Sequence, residues 1–245
     1  MAHAPPAEGA QALPPRLEAP YTRSVDTPSL APARGPFITL EGPDGSGKSS
    51  LLPALAAVLH ARGLDVVTTR EPGSTPLGER IRSILLETEP KIDHTGRADA
   101  LLFAAARTQH VHEVIRPALA RGAIVLCDRY ADSSMAYQGA GSQIPLDEVR
   151  ALQQFATGGL WPDLTILLDL PVEAGLARKS DEVTRFEAYH DLAYHERVRA
   201  AFLAFAAAEP GRYAVVDAAR DPADVLAAST AALARLADRW PALRG

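Results

Sequence analysis

A glycine-rich run near residue 45 has the residue types and spacing that bind a phosphate. Residues 42–49 read GPDGSGKS, the pattern Gly-x-x-x-x-Gly-Lys-Ser, between a short apolar run and a segment of helical spacing. In that context the backbone N–H groups from Asp44 to Ser49 and the positive end of the helix hold a β-phosphate. Lys48 bridges the β- and γ-phosphates, and Ser49 ligates Mg²⁺. The motif therefore predicts a nucleotide site, but switches, transporters, motors and kinases all share it.

Charged residues follow two further apolar runs. Arg70 ends the run VVTTR, and its planar guanidinium could bind a second phosphate, whereas a salt bridge to Glu71 would leave it at the surface. Asp128 ends the run IVLCD, with Arg129 beside it. Such an aspartate either links to Mg²⁺ through water or caps a helix. The sequence alone leaves both interpretations of each residue open.

Two more segments could contact a nucleotide. Phe103 and Arg107 are four residues apart in LLFAAARTQH and so share a helix face, where they could stack a base and bond its edge. The alternative is that Phe103 belongs to the core. The charged segment from about 178 to 192 is either an ordinary loop or a lid that closes over phosphates, with Arg178, Lys179 and Arg185 as candidate donors.

The elements that must position these residues follow from the hydrophobic pattern. From residue 37 onward, short apolar runs alternate with longer segments of helical spacing, which predicts an α/β fold with a five-stranded parallel sheet and helices on both faces. Ligands of such sheets bind beyond the carboxyl ends of the strands, where the motifs fall. The predicted strands are Phe37–Glu41, Val66–Arg70, Ala123–Cys127, Leu164–Leu168 and Ala214–Val216.

Composition excludes several classes of protein. The chain has 245 residues, is 47% hydrophobic and carries a net charge of -5, which argues against a nucleic-acid or membrane-binding surface. No run approaches the roughly 18 apolar residues of a membrane span. The single cysteine, Cys127, excludes an intrachain disulfide, and the histidines lack zinc spacing. We therefore expect a cytoplasmic protein that binds neither nucleic acid nor membrane.

The first 36 residues differ from the rest. Eight prolines interrupt an alanine-rich run without periodicity, so neither a helix nor a strand can propagate there. The sequence predicts a disordered tail over 1–36 and a single domain over 37–245.

Taken together, the motifs resemble those of the thymidylate kinase (dTMP kinase) family of P-loop nucleoside monophosphate kinases. The resemblance extends from about residue 37 to the C-terminal helix and rests on EGPDGSGKS, TREPG, LLFAAARTQH, DRYADSSMAYQG and PDLTILLDL in that order. It implies the P-loop NTPase fold, a homodimer, and transfer of a phosphoryl group from MgATP to dTMP, giving dTDP for dTTP synthesis. No general base is required, because the acceptor phosphate is already ionised.

The resemblance also implies roles for individual residues. Lys48, Arg129, Asp44 and Arg185 are the implied catalytic residues, with Asp44 meeting the sugar 3′-hydroxyl and Arg129 the transferred group. Ser49 and Asp128 correspond to Mg²⁺ positions. The implied ATP contacts are Gly42, Pro43, Asp44, Gly45, Ser46, Gly47, Lys48, Ser49, Ser50 and Arg178. The implied dTMP contacts are Asp44, Arg70, Phe103, Arg107, Arg129, Ser134, Tyr137 and Gln138.

The sequence departs from the family pattern in two places. Some members carry an arginine inside the phosphate loop, where this chain has Gly45 and Ser46. The lid would then supply that cation, and Arg185 is the expected donor, supported by Arg178 and Lys179. The lid itself is about one residue longer than the family spacing.

Three alternatives remain at this point. A kinase for UMP/CMP or AMP would differ in its acceptor pocket, for which Phe103, Arg107 and the SSMAYQ run favour thymine. A GTP-binding switch would need an Asn-Lys-x-Asp motif, and the chain has no asparagine. An ATP-dependent scaffold without an acceptor would leave Arg70 and Arg129 unexplained.

Overall fold

A computed structural model describes residues 34–86, 94–178 and 191–244. Its centre is one sheet of five parallel strands in the order β2-β3-β1-β4-β5. The strands are β1 (Phe37–Glu41), β2 (Val66–Arg70), β3 (Ile124–Asp128), β4 (Leu164–Asp169) and β5 (Tyr213–Asp217). The central position of β1 places the glycine-rich loop that follows it in the middle of the sheet's carboxyl edge.

Nine α-helices flank the sheet in the described part of the chain. They are α1 (Lys48–Ala61), α2 (Pro76–Leu86), α3 (Gly96–His110), α4 (Arg116–Ala120), α5 (Ala131–Ser134), α6 (Leu146–Thr157), α7 (Val172–Arg178), α8 (Leu192–Ala208) and α9 (Pro222–Ala232). A π-helical turn, Val111–Ile115, joins α3 to α4, and a second one, Met135–Gly141, extends α5. Side-chain caps begin several helices: Thr95 accepts from the N–H of Ala98 at α3, and Asp191 accepts from that of Tyr194 at α8.

The core lies on both faces of the sheet. Every residue of β1 is buried, as are nearly all of β3 and β4, because helices cover both sides, as parallel sheets require. On one face α1 buries Leu51, Leu55 and Leu59 against β1 and β3. On the other, Val111, Ile115 and Leu119 pack against β3.

The five predicted strands and their parallel arrangement are confirmed, with small shifts in their ends. The third strand begins and ends one residue later than predicted, and the fourth extends by one residue to Asp169. The fifth gains Tyr213 and Asp217. Strand ends depend on pairing with neighbours, which the hydrophobic pattern does not contain.

Three residues predicted to belong to the N-terminal tail contact the domain. Arg34 forms a two-pronged ion pair with Asp163 at 2.8 Å, and its carbonyl accepts from the indole of Trp240. The N–H of Gly35 donates to the Leu119 carbonyl, and the Pro36 carbonyl accepts from the N–H of Val125. The rest of the predicted tail, 1–33, and most of the predicted lid, 179–190, lie outside the described residues. No described helix is long and apolar enough to cross a bilayer.

Candidate active site

An open cleft of about 940 Å³ lies along the carboxyl edge of the sheet. The loop between β1 and α1 forms its floor, and α2, α3 and the segment after β3 form one arm. The other arm runs between the end of α7 and the start of α9. Because the loop joins the two arms, a ligand in one arm and a ligand in the other would meet over it.

The phosphate loop is held by its own backbone and by Lys48. Gly47, with φ +92°, precedes α1 in a left-handed conformation that side chains disfavour. Lys48 is buried, and its ammonium donates to the carbonyls of Gly42 (3.0 Å) and Pro43 (2.8 Å) and to Ser46 Oγ (3.1 Å). Burial, followed by the nearby charge of Arg129, lowers the pKa of Lys48 to about 8. Lys48 must therefore exchange loop contacts for phosphate oxygens when a phosphate binds.

Gly45 is one of the two loop positions, with Ser46, at which the resemblance allows an arginine, and its surroundings leave no room for a side chain. Its φ is +73°, and a Cβ there would lie 2.1 Å from the carbonyl oxygen of Gly175 on α7. A larger residue would have to displace the backbone of α7. The packing therefore accounts for the glycine and directs any additional cation to come from elsewhere.

Arg129 spans the junction between the two arms. Its backbone is left-handed, with φ +66°, an uncommon conformation for an arginine. Its guanidinium donates to the Gly42 carbonyl (3.2 Å), Ser133 Oγ (3.1 Å) and Tyr137 Oη (3.2 Å), and forms an ion pair with Asp44. These contacts fix a positive charge at the rim of the phosphate loop.

Asp44 and Tyr137 form a second contact across the cleft. The Tyr137 hydroxyl donates to Asp44 Oδ2 at 3.0 Å. Burial raises the pKa of Tyr137 well above its usual value, so the hydroxyl keeps its proton at neutral pH. Asp44, Arg129 and Tyr137, three predicted site residues from distant parts of the chain, thus contact one another.

Arg107 is buried and bonded by side chains from several elements. Its Nε donates to Glu71 Oε2 (2.6 Å) and its Nη2 to the Tyr130 carbonyl (3.0 Å), while Nη1 donates to Ser134 Oγ (3.0 Å) and to Gln153 Oε1. The other Glu71 oxygen accepts from His110 Nδ1 at 2.8 Å. Four of the five guanidinium N–H donors therefore have partners among the described residues, and the second hydrogen of Nη2 has none recorded there.

The remaining predicted acceptor residues lie nearby. Phe103 is half-buried, lines the cleft and packs beside Ile81 and Leu85. Ser134 and Gln138 are each 1% exposed and also line the cleft. The amide nitrogen of Gln138 is buried without a hydrogen-bond partner in the described part of the chain, an arrangement that favours a ligand acceptor there.

Arg70 does not reach the cleft in this structure. Its guanidinium, half exposed, donates to both carboxylate oxygens of Glu79 at 3.1 Å, and its partner is thus Glu79 and not Glu71. Arg82, which lies one turn after Glu79 on α2, lines the cleft instead and donates to the Pro72 carbonyl at 2.9 Å. A contact of Arg70 with an anion in the cleft therefore requires its side chain to turn away from Glu79.

Ser49 and Asp128 provide oxygens beside the loop. Ser49 is exposed and lines the cleft, as does Asp128. Asp128 Oδ1 is buried and has no hydrogen-bond partner among residues 34–86, 94–178 and 191–244. Within those ranges no cluster of three or more His, Cys, Asp or Glu could hold a metal. These two oxygens suit a metal whose other ligands are waters and phosphates.

The second arm of the cleft contains two arginines. Arg178, at the end of α7, donates to the Ala218 carbonyl at 3.1 Å, and Arg220 lies across from it. Pro222, Ala223 and Leu226 supply apolar surface. The predicted lid donors Arg185 and Lys179 lie outside the described residues.

Sequence reasoning missed several residues of this site. Arg82 and Arg220 line the cleft, and Gln153 bonds Arg107 from α6. Spacing gives no signal for Arg82, because it lies opposite Leu77 and Ile84, two apolar residues that would be expected to face the core but are exposed. Gln153 carries no signal either, because its role depends on a contact across 46 positions.

Comparison with known proteins gives a consistent result. The family model described as thymidylate kinase matches residues 40–228, which include every described residue that lines the cleft. The chain is 52% identical over 209 residues to a thymidylate kinase of Cereibacter sphaeroides, covering 82% of this chain and 95% of that protein. It is 53% identical over 189 residues to one of Thermomicrobium roseum, covering 76% and 88%. It is also 51% identical over 207 residues to one of Pseudomonas fluorescens, covering 84% and 98%.

Proposed function

The chain belongs to the thymidylate kinase family, and on that premise we propose how the residues of its cleft carry out the reaction. The protein phosphorylates dTMP to dTDP with ATP as the phosphoryl donor. The observation that carries the assignment of residues is the position of Arg129, whose guanidinium contacts the phosphate loop at Gly42 and the acceptor arm at Tyr137.

Arg129 and Lys48 compensate charge during transfer. Phosphoryl transfer requires little covalent participation from the protein, so the rate depends on alignment and on cations beside the equatorial oxygens. Lys48 serves the β- and γ-phosphates from the floor of the cleft, and Arg129 serves the transferred group from its rim. Arg185 of the lid is the proposed further cation, because Gly45 cannot be replaced by an arginine without displacing α7.

The acceptor arm recognises thymidine. Phe103 stacks on the base, and the remaining Nη2 hydrogen of Arg107 donates to the thymine O4. Gln138 uses its unpartnered amide nitrogen on the base or sugar, beside Ser134. Asp44 binds the 3′-hydroxyl, and Tyr137 occupies the space that a ribose 2′-hydroxyl would need. A pocket shaped for the thymine methyl gains about 1–3 kcal/mol over uracil, so dUMP should be a poor substrate that is not excluded.

Arg82 and Arg129 bind the acceptor phosphate. Both line the cleft, whereas Arg70 joins them only by breaking its ion pair with Glu79. That pair is half exposed, and exposed pairs are worth only about 0–1 kcal/mol, so the rearrangement is inexpensive.

Ser49 and Asp128 fit a magnesium ion, with Asp128 acting through a bound water. Mg²⁺ retains several waters and uses few protein ligands, which suits one exposed hydroxyl and one buried carboxylate oxygen without a partner. When bound, Mg²⁺ supplies charge neutralisation between the β- and γ-phosphates.

The second arm is proposed to hold the adenine of ATP. Arg178 packs on the base, and the segment from Gly42 to Ser50 holds the phosphates. We further assign residues 37–245 to one catalytic domain, with a lid at about 178–192, and expect a cytoplasmic homodimer that packs through helices including α3. Lid closure excludes water, so that ATP is not hydrolysed.

An acceptor panel tests the specificity. Purified protein with MgATP is assayed for ADP release with no acceptor, dTMP, dUMP, UMP, CMP or AMP. Strong release with dTMP, weak release with dUMP and little without an acceptor are expected. Equal turnover of dUMP and dTMP would contradict the roles given to Phe103 and Arg107.

Arg129→Ala tests the catalytic cation. A transition-state arginine is worth about 10³–10⁵ in rate, so we expect turnover to fall at least about 10³-fold while ATP affinity stays nearly unchanged. Arg121→Ala is the control, because Arg121 is exposed and pairs with Asp65, which lies just before β2 at the end of the sheet away from the cleft. A loss below tenfold would remove Arg129 from this role.

A further inference from the structure

Glu41 is a buried carboxylate to which neither the reaction nor the loop motif gives a task. It is the last residue of β1, immediately before the phosphate loop, and it is completely buried. Its Oε1 accepts from the backbone N–H of Tyr130 (2.7 Å) and of Ser133 (3.3 Å). Its Oε2 accepts from the Ser133 hydroxyl at 2.6 Å. All three donors belong to the segment that follows Arg129.

The direction of these hydrogen bonds determines what Ser133 can offer Arg129. When Glu41 is ionised its carboxylate only accepts, so the Ser133 hydroxyl must then use its hydrogen on Glu41. Its lone pairs then face the guanidinium, and Arg129 Nη1 donates to Ser133 Oγ at 3.1 Å. A guanidinium only donates. The two hydrogen bonds, from Arg129 to Ser133 and from Ser133 to Glu41, can therefore form together in only one donor-to-acceptor direction. That direction requires an acceptor at position 41.

Glu41 also fixes the backbone from which Arg129 projects. The N–H that it accepts from Tyr130 belongs to the peptide just after Arg129, whose φ is +66°. A left-handed conformation of a non-glycine residue persists only where the surroundings impose it. Glu41 thus holds both the backbone and one of the side-chain contacts of Arg129.

Glu41 forms no ion pair among the described residues, although the nearby charge of Arg129 lowers its pKa. Asp132 of α5 repels it and is itself paired with Arg212 at 2.6 Å. The ammonium of Lys48 on α1 donates its hydrogen bonds to the phosphate loop. Tyr213 of β5 is a further neighbour of Glu41. Burial and then the charge of Asp132 raise the pKa of Glu41 to about 7. The favourable contacts of the buried carboxylate are therefore its hydrogen bonds from Tyr130 and Ser133, in the segment that follows Arg129.

We propose that Glu41 is a positioning residue, which acts through Ser133 to hold the guanidinium of Arg129 at the phosphate loop. This inference rests on the proposed role of Arg129. In Glu41→Gln the amide nitrogen donates toward Ser133 Oγ, so the serine hydrogen is turned toward the donors of Arg129. In Ser133→Ala the link is missing altogether.

A double-mutant cycle tests the proposal. kcat and the KM values for ATP and dTMP are measured at pH 8, where Glu41 is ionised, for Glu41→Gln and Ser133→Ala, each alone and combined with Arg129→Ala. A hydrogen bond that involves a charged group corresponds to roughly tenfold to 150-fold in rate. We expect each single change to lower kcat by about that factor and to leave KM for ATP within about threefold. In the Arg129→Ala background the same changes should lower kcat less than about twofold, because their effect passes through Arg129.

Several outcomes would overturn the inference. If Glu41→Gln and Ser133→Ala lower kcat as much in the Arg129→Ala background as they do alone, they act independently of Arg129. Unchanged kcat in both single variants would show that neither residue positions Arg129. If Glu41→Gln does not fold, the Ser133→Ala arm of the cycle decides alone. Ser229→Ala is the control, since Ser229 is buried in α9 outside the cleft and is expected to retain kcat within about twofold. Failure of the proposed role of Arg129 is seen separately, as a small effect of Arg129→Ala itself.

Discussion

Glu41→Gln should also reveal what the buried carboxylate costs the fold. The pKa of Glu41 rises from 4.5 to about 7, chiefly through burial, so the folded protein binds this proton more tightly than the unfolded chain does. The contribution of Glu41 to stability is therefore greatest below pH 4.5 and is lost as the pH rises through 7. Linkage gives RT ln[(1 + 10^(7−pH))/(1 + 10^(4.5−pH))], which is about 3 kcal/mol at pH 5 and close to zero at pH 8.

The measurement is urea unfolding of the wild type and the variant at pH 5 and pH 8. Trp161 and Trp240 provide the fluorescence signal. Titrating groups that do not interact with Glu41 cancel when the variant is subtracted, so the stability of the wild type relative to Glu41→Gln should fall by about 2–3 kcal/mol between the two pH values. Glu173→Gln, which removes an exposed carboxylate, is the control and should show little change.

The result that refutes the reasoning is a difference that stays constant within about 0.5 kcal/mol or increases with pH. Either would mean that the hydrogen bonds from Tyr130 and Ser133 stabilise the carboxylate as well as water does. At pH 8 we expect Glu41→Gln to have a larger free energy of unfolding than the wild type but a lower kcat.

Three further predictions concern the cleft. Arg82→Ala should raise KM for dTMP by about tenfold or more, and Arg70→Ala should raise it by less. The reverse order in steady-state assays would show that Arg70, and not Arg82, binds the acceptor phosphate. Gly45→Ala should destabilise the fold by about 1–3 kcal/mol more than Gly47→Ala in urea unfolding, because a Cβ at 45 would lie 2.1 Å from a carbonyl oxygen and one at 47 meets nothing within 4 Å; equal losses would show that φ alone matters. Gln153→Leu should raise KM for dTMP more than KM for ATP by freeing the Arg107 guanidinium, and a titration of both substrates that shows equal changes would oppose this.

The sequence predicts the fold well because its signals are local. Each strand is a short apolar run that ends at a polar motif, and a run such as Phe37–Glu41, apolar at nearly every position, is typical of a strand buried on both faces of a parallel sheet. The phosphate loop is likewise contiguous, and the position of Lys48 beneath it follows from the motif. These features need no knowledge of distant contacts.

The side-chain partners in the cleft were much harder to predict. Arg70 and Arg82 both flank the same turn, and only the packing of α2 determines that Arg82 faces the cleft. The partners of Arg107 lie 23 to 46 positions away, so its nearly saturated guanidinium is invisible in the spacing that suggested base recognition. The role of Glu41 was missed because a charged residue at a strand end looks the same whether it is solvated or buried.

Two unfavourable features meet at one point of this structure, and their proximity is itself an argument about function. The left-handed backbone of Arg129 costs of order 1–3 kcal/mol, and the buried charge of Glu41 costs a similar amount at pH 8. A glycine at 129 would relieve the first and a glutamine at 41 the second, yet the first change removes the guanidinium and the second misdirects Ser133. Local rules tend to be broken where the chain must hold a group in place. Since the Glu41 hydrogen bonds reach Arg129 through both Tyr130 and Ser133, the two costs are best understood as one device that fixes a cation beside the phosphate loop.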